Sequence, residues 1–266
     1  MNSKYLLNMA INFSRSGSLN LPSLDEKLWR YMSIAKYLHL LKSQTLWFSR
    51  LDKLGDKFEG SLTKPSAEIR WDSYKSLFPL KEAQGVQGIN SSSILNSRLN
   101  TFVNCWHSNS QESMAMWKLY GSDYGIAVTT TLKRLESSLT TDREIVPALV
   151  KYIDYYKDTY DHEIDIERVI HKRKSFEHER EFRLIAFDPI VDEDGSPMVG
   201  PRGMQGSKEK LIEGVEVAVD LAVLIQEVRV DPDMPLWLFE TIKTITADLG
   251  LDVNVRNSNL GSEPIF

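Results

Sequence analysis

Apolar positions along the chain change their period several times, and each change predicts a different element. Leu28-Trp-Arg-Tyr31 reads as a strand, after which Ser33 can cap a helix whose Ile34, Tyr37, Leu38 and Leu41 fall at i, i+3, i+4 and i+7. A short strand follows at Leu46-Trp-Phe-Ser49, then a glycine-marked turn over 54–60. Residues 61–100 read as helix and loop, and the Gly/Ser/Asn-rich middle at 85–93 predicts a mobile insertion. Phe102-Val-Asn-Cys-Trp106 is a strand by its β-formers. Ser108 or Asn109 can then cap a helix, with Gln111 or Glu112 at the reciprocal capping position and Gly121 at the end. That helix is apolar on two sides, through Met116, Leu119 and Tyr120 and through Met114 and Trp117, which predicts a buried helix or a pocket wall.

Further along, 124–130 and 149–155 read as strands and 159–175 as a charged helix. A loop carrying Gly195, Pro197, Gly200, Pro201, Gly203 and Gly206 separates the Glu-rich segment from strands at 215–219 and 223–230. Leu238, Ile242, Ile245 and Leu249 share one face of a last helix, and 252–256 makes a final strand. Residues 1–26, polar and broken by Gly17 and Pro22, are expected as a flexible lead-in to a single domain over 27–266. Short strands with irregularly placed helices give an α+β class with mixed sheets rather than a doubly wound sheet or a sandwich.

Composition narrows the setting. The single cysteine, Cys105, excludes an internal disulfide framework and a Cys-rich zinc site, which favours a reducing cytoplasm. No run of 18 apolar residues and no secretory leader pattern occur, so no membrane partner is expected. A formal net charge of −5 argues against indiscriminate adhesion to nucleic acid. Arg168, Lys172, Arg173, Lys174, Arg180 and Arg183 nevertheless concentrate positive charge at one place, where a solvated helix face and a phosphate site are both readings.

The densest chemistry lies in Lys174-Ser-Phe-Glu-His-Glu-Arg-Glu-Phe-Arg183, which runs into Leu184-Ile-Ala-Phe187. On a strand, Glu179, Glu181 and Arg183 would share a face while Phe182, Leu184 and Ala186 pack behind. Such charges must pair with one another or with a ligand, so a self-satisfied cluster and a functional site are both open. No G-x-G-x-x-G follows a strand and no G-x-x-x-x-G-K-[ST] occurs, which sets aside Rossmann and Walker chemistry. Cys105 and His107 suggest a thiol nucleophile, though the strand is expected to separate their directions. The histidines at 39, 107, 162, 171 and 178 lack zinc-ligand spacing.

The succession Leu28-Trp-Arg-Tyr31, Leu46-Trp-Phe-Ser49, Asp56-Lys-Phe-Glu-Gly60, Met116-Trp-Lys-Leu-Tyr120, Tyr124-Gly-Ile-Ala-Val128, Glu179-Arg-Glu-Phe-Arg183 and Asn257-Ser-Asn-Leu260 resembles a bacterial family known only as a domain of unknown function. The resemblance spans 27–258 and implies a place among defence and toxin genes: a toxin or anti-phage effector with a neutralising antitoxin or chaperone partner. That family in turn distantly resembles ADP-ribosyltransferases. Their split-sheet fold carries Arg or His on a first strand, Ser or Tyr on a second, and Glu, often as E-x-E, before a later one. The resemblance implies NAD as co-substrate and a macromolecular acceptor, protein or nucleic acid. It makes Glu181 the carboxylate that stabilises an oxocarbenium ion. Glu179 then orients or deprotonates the acceptor, and Arg30 holds a phosphate or ribose of NAD. Tyr31, Ser49 and Arg183 complete the expected NAD contacts, and Phe58, Trp117 or Tyr120 stacks on nicotinamide, although for each of these aromatics core packing is the commoner role. Ser49 stands alone where arginine-modifying enzymes carry a longer Ser/Thr motif, so the acceptor stays open. Two other classes remain: a nuclease-like site with Mg²⁺ held by Asp56, Glu59, Asp123, Glu179 and Glu181 near Arg183 or Lys174, and a non-catalytic sensor or interaction module.

Overall fold

A computed structural model describes residues 21–121, 123–161, 165–188, 199–200, 203–204 and 212–265. Most of the expected lead-in, His162 and much of the Gly/Pro-rich loop lie outside the described residues. The chain opens with β1 (Lys27–Met32), α1 (Ile34–Ser43) and β2 (Thr45–Arg50). Ser33 caps α1 through its hydroxyl, and Gln44 closes it in the left-handed region at φ 53°. Two helices follow, α2 (Lys64–Leu77) and α3 (Leu80–Leu99), then β3 (Thr101–Ser108), α4 (Met114–Tyr120), β4 (Ile126–Thr131) and α5 (Leu132–Ser138). Next come β5 (Val146–Leu149), β6 (Lys151–Ile153), α6 (Asp165–Ile170), β7 (His171–Arg173) and β8 (Glu181–Phe187). The short pair β9 (Val199–Gly200) and β10 (Gly203–Met204) precedes β11 (Gly214–Ala218), α7 (Leu221–Leu224), β12 (Glu227–Val230), α8 (Leu236–Asp248) and β13 (Val255–Asn257).

The architecture is α+β, with a mixed nine-stranded sheet running β11-β2-β3-β1-β4-β12-β13 and the pair β8 and β5 joined to β3. Every neighbour is antiparallel except β12 and β13. Strand β3 is the junction. Its whole length pairs with β8, while its other edge is shared: β2 pairs at Phe102 and Val103, and β1 pairs at His107 and Ser108. Between those contacts β1 and β2 part, and among the described residues no strand pairs with the edge at 104–106. Side chains fill the break, with Asn104 Nδ2 donating to Trp47 O (2.8 Å) and Trp106 Nε1 to Asn104 Oδ1 (2.7 Å).

Alternation divides the sheet into two faces. Leu28, Met32, Phe48, Trp106, Val128, Phe182 and Leu184 form the main core with Tyr37, Leu40 and Leu41 of α1 and Ile242 of α8. On the other face Trp29, Tyr31 and Ala127 meet Met116 and Trp117 of α4. Among the described residues no helix is long and apolar enough to cross a membrane.

Several elements differ from expectation. Residues 85–93 are the middle of α3, not a loop, since Gly and Ser lower helix propensity by amounts that packing against α2 offsets. The helix expected from Ser108 or Asn109 starts at Met114 with Ser113 as its cap, because pairing with β1 and β8 carries β3 through Ser108. Segment 149–155 breaks into β5 and β6, and 159–175 holds one short helix followed by β7 and the start of a 3-10 turn. The strand expected over 223–230 begins instead as α7, which Asp220 caps at two backbone N–H groups.

Gly121 ends α4 as expected and meets Gly125 at the entry to β4. A Cβ on Gly125 would lie 2.3 Å from Gly121 Cα and 2.4 Å from its carbonyl oxygen. Both obstacles are backbone, so Gly125→Ala is expected to lower stability by about 1–3 kcal/mol in urea unfolding. An unchanged midpoint would mean that this contact relaxes freely.

Candidate active site

The parting of β1 from β2 opens into a cavity of about 660 Å³. Arg30 and Tyr31 of β1, Trp47 and Ser49 of β2, and Cys105 and His107 of β3 line it. Glu181 of β8, Tyr120 of α4, Lys172 of β7 and Glu179 complete the wall. Residues remote in sequence meet here because β3 brings β1, β2 and β8 together.

Glu179 and Glu181 do not share a strand. Glu179 ends a 3-10 helix over Lys174–Glu179, Arg180 takes the left-handed region at φ 41°, and β8 begins at Glu181. The expected alternation therefore fails between them, yet that turn delivers both carboxylates to one ammonium. Lys172 Nζ lies 2.5 Å from Glu179, 3.0 Å from Glu181 and 3.2 Å from Glu59. Arg183 is fully buried, and its Nε and Nη2 donate to the two oxygens of Glu181 at 2.7 and 3.1 Å. Its Nη2 also donates to Glu59 Oε1 at 2.9 Å, and its Nη1 to Val169 O. Three buried carboxylates thus share two cations.

The charge states follow from that sharing. Burial opposes ionisation of Glu181, but Arg183 and Lys172 outweigh it and hold its carboxyl well below the usual carboxylate range. Burial likewise opposes the Lys172 charge, and the surrounding carboxylates more than offset it. Glu59 goes the other way: burial drives its pKa up against the pull of Arg183, whose Nη2 stands 2.9 Å from each of its oxygens. Tyr120 donates to Glu179 Oε1 at 2.7 Å, and burial followed by that carboxylate raises the phenol's pKa.

Arg30 has a different environment. It donates a 3.3 Å bond to Trp47 O and lies 5.8 Å from the Trp106 ring. Burial lowers its pKa to about 10, so it stays a cation at neutral pH. Tyr31 accepts from Ser113 N at 2.9 Å, and the neighbouring Glu112 takes Ser258 Oγ, Asn259 N and Trp117 Nε1. These bonds tie the loop before α4 to the segment after β13.

Three of the expected ligand contacts fall elsewhere. Phe58 does not line the cavity; it packs on Tyr155 at 5.3 Å beneath Arg173. Trp117 is core, edge-on to Tyr31 at 5.0 Å, as its place on the inner stripe of α4 requires. Arg183 is sealed behind Glu181 and positions that carboxylate instead of reaching a ligand. The five acids of the metal alternative do not converge either, since Arg173 takes Asp56 at 2.8 Å and Asp123 is exposed outside the cavity. Lys172, now at the centre, reads in the sequence only as one more basic residue, and its alternation with Arg173 toward the acids could have raised it.

Cys105 and His107 are two residues apart on β3 and so share a face, contrary to the expected separation. Burial, with the Glu181 carboxylate next, pushes the Cys105 thiol far up, which removes the thiolate that a nucleophile needs. His107 lies 2.6 Å through Nδ1 from Glu179 O. A carbonyl only accepts, so the proton is on Nδ1, and Nε2 is buried with no hydrogen-bond partner. Burial lowers the His107 pKa below 6.5. The unfolded chain therefore takes up a proton first as pH falls, and this contribution to stability is whole above 6.5 and lost on acidification toward the folded pKa. The urea midpoint should drop between pH 7 and pH 5, and His107→Gln should make that drop smaller; an identical drop in the variant would assign it to other groups such as His171, whose pKa burial also lowers.

Compared with protein-family models, with curated proteins and with solved structures, the chain matches none.

Proposed function

We propose that the protein is an ADP-ribosyltransferase-like enzyme that transfers ADP-ribose from NAD to a macromolecule. One observation carries the reading: a single cavity, of a size suited to a nucleotide, gathers Arg30, Tyr31, Ser49, Tyr120, Glu179 and Glu181 from elements far apart in the chain. In this reading Arg30 holds the pyrophosphate, being a cation with no carboxylate partner among the described residues. The ionised Glu181 faces positive charge as it develops on the ribose. The bond between C1′ and the nicotinamide nitrogen breaks with its electron pair moving onto the ring nitrogen. Glu179, with Tyr120 on its other oxygen, accepts the proton of the attacking acceptor group. The family resemblance adds the role of toxin or anti-phage effector with a neutralising partner.

A second reading also has an observation behind it. The Glu59, Glu179, Glu181, Lys172 and Arg183 network satisfies most of its own charge, which suits a non-catalytic module in which these residues hold the fold. Incubating purified protein with labelled NAD and a cell lysate separates the two. Label is expected in the protein or the nucleic acid fraction, and absence of both transfer and calorimetric NAD binding would overturn the proposal. Arg30→Met is expected to weaken NAD binding about 10- to 100-fold by calorimetry, the range for one charge-assisted hydrogen bond.

A further inference from the structure

Trp47 is an apolar ring left in the open at the place where most strand residues of this sheet are buried. It is 41% exposed and lines the cavity from β2. Its position is set from two sides. Arg30 Nη2 and Asn104 Nδ2 both donate to its carbonyl oxygen, which fixes the backbone at the sheet break. On the neighbouring strand β11, Gly214 leaves room for the indole: a Cβ there would stand 2.4 Å from Trp47 Cζ2 and 2.5 Å from Cε2. The ring therefore lies over a glycine backbone, held without being covered.

The acids of the cavity already have partners: Asp56 pairs with Arg173, Glu179 and Glu181 with Lys172, and Glu216, directly across from Trp47 on β11, with His39. Of the basic side chains lining the cavity, Arg30 and Lys36 have no carboxylate partner among the described residues, whereas Lys53, His39 and Lys172 are paired. A flat exposed indole beside unpaired cations suits a ligand that is aromatic at one end and anionic next to it.

We infer that Trp47, seated on Gly214, is the stacking platform for the purine base of a nucleotide whose phosphates Arg30 holds. The inference rests on the NAD reading of the cavity and assigns the adenine end of that molecule, leaving nicotinamide to the Glu181 side. An open ring that stacks on a base contributes through its face, so phenylalanine should substitute and a branched aliphatic residue should not.

The test is calorimetry with ADP and with nicotinamide mononucleotide on wild type, Trp47→Leu and Trp47→Phe, each checked for an unchanged urea midpoint. Trp47→Leu is expected to raise the Kd for ADP by about 5- to 100-fold, the span of one base–aromatic stack. Trp47→Phe should stay within a few-fold of wild type, and nicotinamide mononucleotide should bind all three alike. Equal ADP affinity in Trp47→Leu, equal losses for both ligands, or no ADP binding by wild type would each overturn the platform. Transfer of labelled ADP-ribose by a wild type whose ADP affinity ignores Trp47 would sink the platform and leave the transferase reading standing. Trp47-dependent ADP binding without transfer would do the reverse.

Discussion

Replacing Arg183 by methionine is expected to be the most damaging single change in the molecule, lowering stability by about 3–5 kcal/mol. The guanidinium is fully buried, and it is the partner of Glu59 and Glu181 as well as of the Val169 carbonyl. In wild type three carboxyl groups, Glu59, Glu179 and Glu181, share two cations. Without Arg183 the balance becomes three against one, and Glu59, which burial already pushes toward protonation, loses its main counter-charge. Methionine fills much of the volume, so the loss reports charge and hydrogen bonding more than a cavity. Lysine should not rescue it, because one ammonium cannot reproduce a fork that reaches three acceptors. Urea unfolding measures the effect, and a loss under about 1 kcal/mol would mean that water or rearrangement compensates the network far better than its burial implies.

Glu181→Gln should have the largest effect on activity with a small effect on folding. Glutamine keeps the size of this side chain and an oxygen that can still accept from Arg183, while Glu59 and Glu179 remain beside Arg183 and Lys172. The variant is therefore expected to fold, with a urea midpoint near that of wild type. In the proposed reaction it lacks the anion that faces the developing oxocarbenium ion, and transfer should fall roughly 100- to 1,000-fold. NAD affinity should change little, because the ground-state contacts assigned to Arg30 are untouched. The combination is what matters: lost turnover with kept binding and kept fold. A folded variant that transfers ADP-ribose at the wild-type rate would remove Glu181 from the chemistry and return the network to a structural role.

The β1, α1 and β2 run is legible in the sequence because each part is local. Ser33 caps, Tyr37 and Leu41 keep the helical period, and the Leu46 and Phe48 pattern keeps the strand period. The Glu-rich segment is visible for the same reason, as charges next to a core strand. What stays hidden is set by long-range pairing. Nothing local says that Glu59 will meet Arg183 across 124 positions, or that Lys172 will stand between three carboxylates. Phe58 and Trp117 show the limit from the other side: an aromatic side chain looks the same in sequence whether it lines a cavity or fills an interior. The turn at Arg180 is also unreadable, because an arginine in the left-handed region runs against its own backbone preference and is held there by its surroundings.

The break along the edge of β3 has a mechanical meaning. The pair β11 and β2 on one side, and the block β1, β4, β12 and β13 on the other, are both fastened to the same strand at different heights. The cavity is the wedge left between those two groups of strands. One core runs beneath both groups, and Arg30 and Asn104 tie Trp47 across the gap, so the opening is braced by the same contacts that hold the sheet together and is present before any ligand arrives.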